Sequence, residues 1–210
     1  MRVIAIDGPA GAGKSTIARA LAARLGLEYL DTGAMYRAVT LAAMQGQVDD
    51  ADEVAALSRG LSLEVGERGV FVDGVDATTA IRTPEVTGAV SRVAANSGVR
   101  AEMRARQRAW AELRGGGVIE GRDIGSVVFP EAELKLYLTA SPRVRAERRV
   151  SEMGSGDVDE IERAIAARDH HDSTRVDSPL TEAAGSTVVD TTGLTVGEVL
   201  DQILRLLEHA

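Results

Sequence analysis

No cysteine occurs in the 210 residues, so disulfides and thiolate metal sites are excluded. Aromatic residues make up only 3% of the chain, which argues against holding a ligand by stacking its base on aromatic rings. Lysine is nearly absent too. It stands only at Lys14 and Lys135, and every other basic residue is arginine. Coding bias in a GC-rich genome accounts for surface arginines. The informative ones are those in pockets, where the guanidinium fork makes bidentate contacts to phosphate that lysine cannot. No apolar run is long enough to span a bilayer, and the opening Met1 to Asp7 stretch is too short, and too acidic at its end, for a secretory leader. With a net charge of −8 the chain lacks the broad positive field of non-specific nucleic-acid binding. A soluble, cytoplasmic protein with no nucleic-acid or membrane partner is the expectation.

Apolar residues, at 44%, are enough for a sizeable core built from Leu, Val, Ile and Ala, and the length suits one domain. The pattern alternates. Arg2 to Asp7 and Leu27 to Leu30 are short apolar runs ending in Asp, as buried strands do. Ser15 to Leu25 has helical spacing with Gly26 as its C-cap, and Gly33 to about Met44 is helical again. Leu61 to Ala77 alternates on both sides of a glycine turn (Gly66 to Gly69), a small hairpin set into an otherwise α/β chain. Helices over Pro84 to Asn96 and Val99 to Leu113 follow. Strands are then expected at Val118 to Glu120, Leu134 to Leu138 and Thr187 to Asp190, and helices from Ser141-Pro142, over Asp157 to Arg168, and after Thr195. The sum is a five-stranded parallel sheet with helices on both faces, whose ligands bind beyond the carboxyl ends of the strands.

One such end carries Gly8-Pro9-Ala10-Gly11-Ala12-Gly13-Lys14-Ser15, a full G-x-x-x-x-G-K-[ST] match placed after a strand and at the start of a helix. The glycines let the backbone curl so that its N–H groups face phosphate oxygens, and the helix N-terminus adds partial positive charge. Lys14 reaches the β- and γ-phosphates, and the Ser15 hydroxyl ligates Mg²⁺. Binding of ATP follows. A GTPase needs an Asn-Lys-x-Asp motif, and neither lysine sits in one. A transport or motor ATPase is normally larger. A small kinase remains, and it needs an acceptor pocket and a cationic lid.

Asp31-Thr32-Gly33-Ala34-Met35-Tyr36-Arg37 opens a helix after the second strand, though Arg37 on position alone reads equally as a solvated face. Gly121-Arg122-Asp123-Ile124-Gly125 lies beyond the third strand, where charged residues flanked by glycine suit a site. Lid arginines are available at Arg143, Arg145, Arg148, Arg149, Arg168 and Arg175, with Gly154 to Asp157 as a hinge candidate. Between Val99 and Arg114, five arginines invite a nucleic-acid reading. An amphipathic helix burying Val99, Met103, Trp110 and Leu113 accounts for them better in an acidic chain.

Together these stretches, with Ile81-Arg82-Thr83-Pro84-Glu85-Val86 and the run from Arg168-Asp169 to Pro179-Leu180, resemble the bacterial cytidylate kinases over nearly the whole chain. The phosphate loop is generic; the Gly-Arg-Asp-Ile-Gly and Asp-x-Gly-x-x-Tyr-Arg stretches are specific. The resemblance implies a core of about 1–45, 98–150 and 185–210, a monophosphate-binding insertion of about 46–97 and a lid of about 151–180. It implies transfer of the γ-phosphoryl group of ATP to CMP or dCMP, with Mg²⁺; a monomer is the expectation for the chain. It carries the donor over to Gly8 through Thr16 with Arg148 and Arg149. The acceptor goes to Thr32, Tyr36, Arg37 and Arg122, the cytosine edge to Ser91, Arg100 and Asp123, and the sugar to Arg168 and Asp172. Arg175 completes the closed site, and Lys14, Arg122, Arg168 and Arg175 carry the transfer. Ser91 taken alone is an ordinary helix serine; only the resemblance marks it.

Chemistry supports the base readers. A carboxylate accepts from the N4 amino group of cytosine and repels the O4 of uracil, and an arginine donates to N3 or O2. Glu120 ends the third strand where related kinases often have an Asp that orients Mg²⁺ through water; a longer arm can do this, or the residue is structural. His170 and His171 point about 100° apart on a helix and chelate poorly. His209 is expected to be solvated. A kinase for another monophosphate or a small alcohol, and a nucleotide-binding regulator, are the alternatives. An alcohol acceptor would need a base that the chain does not offer, and a regulator has no use for paired Arg37 and Arg122.

Overall fold

A computed structural model describes residues 1–66 and 68–208. Glu67, in the expected hairpin turn, and His209 lie outside the described residues. The chain begins with β1 (Arg2–Asp7), α1 (Lys14–Leu25), β2 (Tyr29–Asp31) and α2 (Thr32–Gln45). Then come α3 (Ala51–Gly60), β3 (Leu63–Gly66), β4 (Gly69–Val72), β5 (Val75–Asp76), α4 (Pro84–Ala94) and α5 (Ser97–Arg114). The last third holds β6 (Gly116–Glu120), β7 (Leu134–Thr139), α6 (Pro142–Met153), α7 (Val158–Thr174), β8 (Thr187–Asp190) and α8 (Val196–Glu208).

Five strands form one parallel sheet in the order β2-β6-β1-β7-β8. Its alternation is legible in β1. Ile4 and Ile6 point into a cluster with Ile17, Leu21, Val199 and Ile203 of α1 and α8. Val3 and Ala5 point the other way, against Val39, Val99 and Met103 of α2 and α5. Both faces are covered, and burying each isoleucine contributes about 1.5–3 kcal/mol. The central β1 is flanked by β6 and β7, so the loops after all three strands meet at one edge.

Several boundaries differ from expectation. The hairpin is a three-stranded meander, β3-β4-β5, whose last strand is two exposed residues with no readable alternation. Helix α3, absent from the sequence reading, is capped by Asp50 accepting from the amides of Asp52 and Glu53. Helix α7 does not stop at Arg168. It continues to Thr174, where Ser173 and Thr174 turn their hydroxyls back onto the His170 carbonyl. On α5, Leu113 is 83% exposed, and the buried face is Val99, Arg100, Met103, Gln107 and Ala111. The α5 arginines are tied to the protein's own acceptors: Arg104 to Asp177, Arg106 to Glu102 and the Leu61 carbonyl, Arg108 to the Val128 carbonyl, and Arg114 to Glu28.

Candidate active site

The loop from Gly8 to Gly13 turns on three glycines with φ of 141°, 76° and 86° at Gly8, Gly11 and Gly13. At Gly8 any Cβ would strike the Leu138 carbonyl, and at Gly11 it would come within 2.9 Å of the Arg145 carbonyl. The curl therefore depends on glycine twice over, through dihedral and through space. Lys14 is buried, and its ammonium donates to the Pro9 carbonyl at 2.7 Å, inside the loop. Burial and the neighbouring Arg122 push its pKa well below the ordinary lysine value, against the pull of Glu120. An anion placed in the loop would reverse that shift. Ser15 and Thr16 are exposed at the mouth of the loop.

Residues that the sequence did not single out hold this loop from below. Asp7, the last residue of β1, is buried and accepts from the amides of Ile124 and Gly125 at 2.8 and 2.7 Å. This ties the phosphate loop to the segment that carries Arg122 and Asp123. Burial pushes the Asp7 carboxyl up to about 6 despite the two N–H bonds, which lower it. The segment itself winds as a single π-turn over Ile124–Val128, a geometry that recurs at functional sites. Thr191, just after β8, bonds to the Ala12 carbonyl at 3.2 Å and receives Arg148 at 2.9 Å. Arg148 therefore lies beside Gly13, engaged with Thr191, and Arg149 pairs with Glu152 at 3.0 Å.

The acceptor candidates lie on α2, on α7 and at the end of β6. Thr32 donates to the Glu120 carbonyl at 2.6 Å. Arg37, one turn into α2, donates to the Ile81 carbonyl at 3.1 Å and to Thr87 at 2.7 Å. It is not a solvated face. Burial and Arg149 lower its pKa to about 10, and Arg82 and Arg122 act in the same sense. Arg168 is likewise lowered to about 10 by burial, Arg122 and Arg37, and its Nε is buried without a hydrogen-bond partner. Arg37, Arg122 and Arg168 thus lie near enough to repel one another; Asp31, Asp169 and Asp172 offset part of that repulsion, and a bound anion would relieve the rest.

The base-reading candidates lie deeper. Asp123 accepts from Arg100 at 2.5 Å and has Arg175 at 3.7 Å. Arg100 is 1% exposed, donates to the Ala94 carbonyl at 3.1 Å and stacks 5.3 Å above the Tyr36 ring. Ser91 is half-buried on α4, one turn before Ala94. The continuation of α7 matters here. Arg168, Asp172 and Arg175 fall at i, i+4 and i+7, one face of the helix and its C-cap, and that face carries the contacts to Arg122 and Asp123. Asp172 accepts from Arg122 at 2.9 Å. Burial would raise its carboxyl, but Arg122, Arg168 and Arg175 together hold it below the usual range.

Glu120 is buried at the end of β6, hydrogen-bonded by Tyr29 and beside the Ser15 hydroxyl. Burial and Asp31 raise its carboxyl. Hydroxyl and carboxylate form an all-oxygen donor set, which suits Mg²⁺. Among the described residues no cluster of three or more His, Asp or Glu could cage a metal, and Mg²⁺ held mostly by phosphates and water does not need one. No helix among the described residues is long and apolar enough to cross a membrane.

A family model described as cytidylate kinase matches residues 4–209. A bifunctional pantoate ligase/cytidylate kinase of Prochlorococcus marinus is 49% identical over 216 residues, covering 97% of this chain but 43% of that protein. The chain spans less than half the length of that relative. A cytidylate kinase of Desulforamulus reducens is 45% identical over 216 residues, covering 99% of this chain and 97% of its own. In fold, the chain is similar to a shikimate kinase of Acinetobacter baumannii solved with shikimate, with a TM-score of 0.52, 14% identity, and coverage of 100% of this chain and 94% of that one.

Proposed function

The chain belongs to the cytidylate kinase family, and from that premise we propose that it transfers the γ-phosphoryl group of ATP to the 5′-phosphate of CMP or dCMP, giving ADP and CDP or dCDP. The observation that carries this is the grouping of Arg37, Arg122 and Arg168 beside the buried Arg100–Asp123 pair. A phosphate fits the first group and a cytosine edge fits the second.

An acceptor phosphate oxygen is already anionic at neutral pH, so no general base is required. It attacks the γ-phosphorus in line as the bond to the β-bridging oxygen breaks, and ADP leaves with that electron pair. The protein's work is positioning and charge stabilisation. Lys14 and the loop amides hold the donor. Arg37 and Arg122 hold the acceptor phosphate, and Asp172 orients Arg122. Arg168 lies where negative charge spreads during transfer, and Arg175 closes the pocket beside Asp123. Mg²⁺, held at Ser15 with Glu120 acting through water, would neutralise charge on the donor phosphates. Asp123 accepts from the cytosine amino group while Arg100 and Ser91 take the rest of the edge. A monomer working in the cytoplasm belongs to the same proposal.

Calorimetry with CMP alone tests the acceptor site. Saturable binding without ATP is expected, weakened about tenfold or more in Arg122→Ala. A chain that binds ATP but not CMP would contradict the proposal.

A further inference from the structure

Asp169 sits next to Arg168 on α7 and has no part in the mechanism above. One of its oxygens accepts at 3.0 Å from the amide of Ala10, inside the phosphate loop. The other pairs with Arg145 of α6, and the same guanidinium nitrogen donates at 3.0 Å to the Ala10 carbonyl. Arg145 Nε is anchored in turn on the Ala140 carbonyl, 3.1 Å away, just beyond β7. An Asp–Arg pair with one partner from α7 and the other from α6 therefore grips both backbone polar groups of a single loop residue. The approach is close: a Cβ at the adjacent Gly11 would come within 3.0 Å of the Arg145 Cβ.

Arg168 has no comparable anchor. Its Nε is buried without a hydrogen-bond partner, its strongest charged neighbours are Arg122 and Arg37, and Asp172 one turn on is already bonded to Arg122. Asp172 and Asp169 offset only part of the repulsion from Arg122 and Arg37, so the position of this guanidinium depends on how the backbone bearing it is fixed. We propose that Asp169 is a positioning residue for phosphoryl transfer: by clamping α7 to the phosphate loop through Ala10 and Arg145, it holds Arg168 against the transfer site. The inference rests on the kinase reading above. It also makes the loop and the lid one mechanical unit, so that whatever occupies the loop is met by Arg168 in a set position.

The test is steady-state kinetics with ATP and CMP on Asp169→Ala, Arg168→Ala and the double variant, with thermal unfolding of each as a control for folding. Asp169→Ala should lower kcat about 10- to 100-fold, the loss expected from a small displacement of a transition-state group. KM for CMP should rise by a smaller factor than kcat falls, because Arg37 and Arg122 still hold the acceptor phosphate. In the Arg168→Ala background the same change should lower kcat less than about twofold, since the group it positions is gone. Arg145→Lys keeps the charge but not the fork, and should reproduce the kcat loss if Asp169→Ala does not fold. Wild-type kcat in the folded variants, or a loss just as large in the Arg168→Ala background, overturns the inference and leaves the kinase reading intact. Absence of CMP turnover in the wild type overturns both.

Discussion

Asp123→Asn separates acceptor recognition from the rest of the site. The side chain is buried, accepts from Arg100 at 2.5 Å and has Arg175 at 3.7 Å. A carboxylate there attracts the amino group of cytosine and repels the carbonyl of uracil. An amide of the same shape can turn either its oxygen or its nitrogen to the base, and so discriminates weakly. A hydrogen bond to a charged group contributes about 1.5–3 kcal/mol, equivalent to roughly 10- to 150-fold in kcat/KM for CMP. The CMP-to-UMP preference should fall at least as far, because the repulsion toward uracil is lifted together with the attraction toward cytosine. Losing one partner of a buried pair also costs stability, about 3–5 kcal/mol when nothing replaces it. Here Arg100 keeps Asp177 at 3.8 Å as a second counter-charge, which places the cost at or below the low end. Coupled ADP release with CMP and with UMP at saturating ATP measures the ratio, and KM for ATP serves as the internal control. An unchanged CMP-to-UMP ratio, or equal losses toward CMP and ATP, would refute the base-reading role.

Three further outcomes follow from the geometry. Lys14→Ala should depress kcat by about 10²-fold or more, as removal of a preorganised charge from a transferring phosphoryl group does; turnover at the wild-type rate would remove the loop from the mechanism. Arg37→Ala should raise KM for CMP about tenfold or more while KM for ATP moves little, and parallel changes in both would show that the residue acts on the fold instead. Asp7 gives a pH dependence of stability. Its folded carboxyl titrates at about 6, above the ordinary 3.8, so between those values the folded state holds a proton that the unfolded chain has released. Stability should therefore fall as pH rises from about 4 to about 6, by on the order of 3 kcal/mol from this group, and remain lower above that range. Urea unfolding of the wild type and of Asp7→Asn, compared from pH 4.5 to 7, should show a clearly steeper slope in the wild type, the remainder in the variant coming from groups such as Glu120; matching slopes would place the buried proton elsewhere.

What the sequence made legible was what local patterns encode. Gly8 to Ser15 spells its own conformation, and apolar runs such as Arg2 to Asp7 mark the parallel strands. The arginines at Arg37, Arg122 and Arg168 were findable because each follows a strand end or lies in a cationic run. Asp7, Asp169, Arg145 as a clamp, and Thr191 were not legible. Their partners lie far along the chain, as with Asp7 to Ile124 and Ala10 to Asp169, and nothing near them in the sequence announces a bond. The length of α7 was misjudged because His170, His171 and Asp172 are neutral toward helix, so tertiary contacts decided where it ended. Leu113 shows the reverse error: helical spacing put it on the buried face of α5, and packing left it in water.

The measurement that tests the central claim most directly is coupled ADP release by the wild-type protein with ATP and a panel of CMP, dCMP, UMP, AMP and GMP. The site described here predicts rapid turnover of CMP and dCMP, weak turnover of UMP and little of either purine. Comparable or faster turnover of another monophosphate would contradict the cytosine pocket at Asp123 and Arg100, and no turnover of any acceptor would contradict the kinase itself.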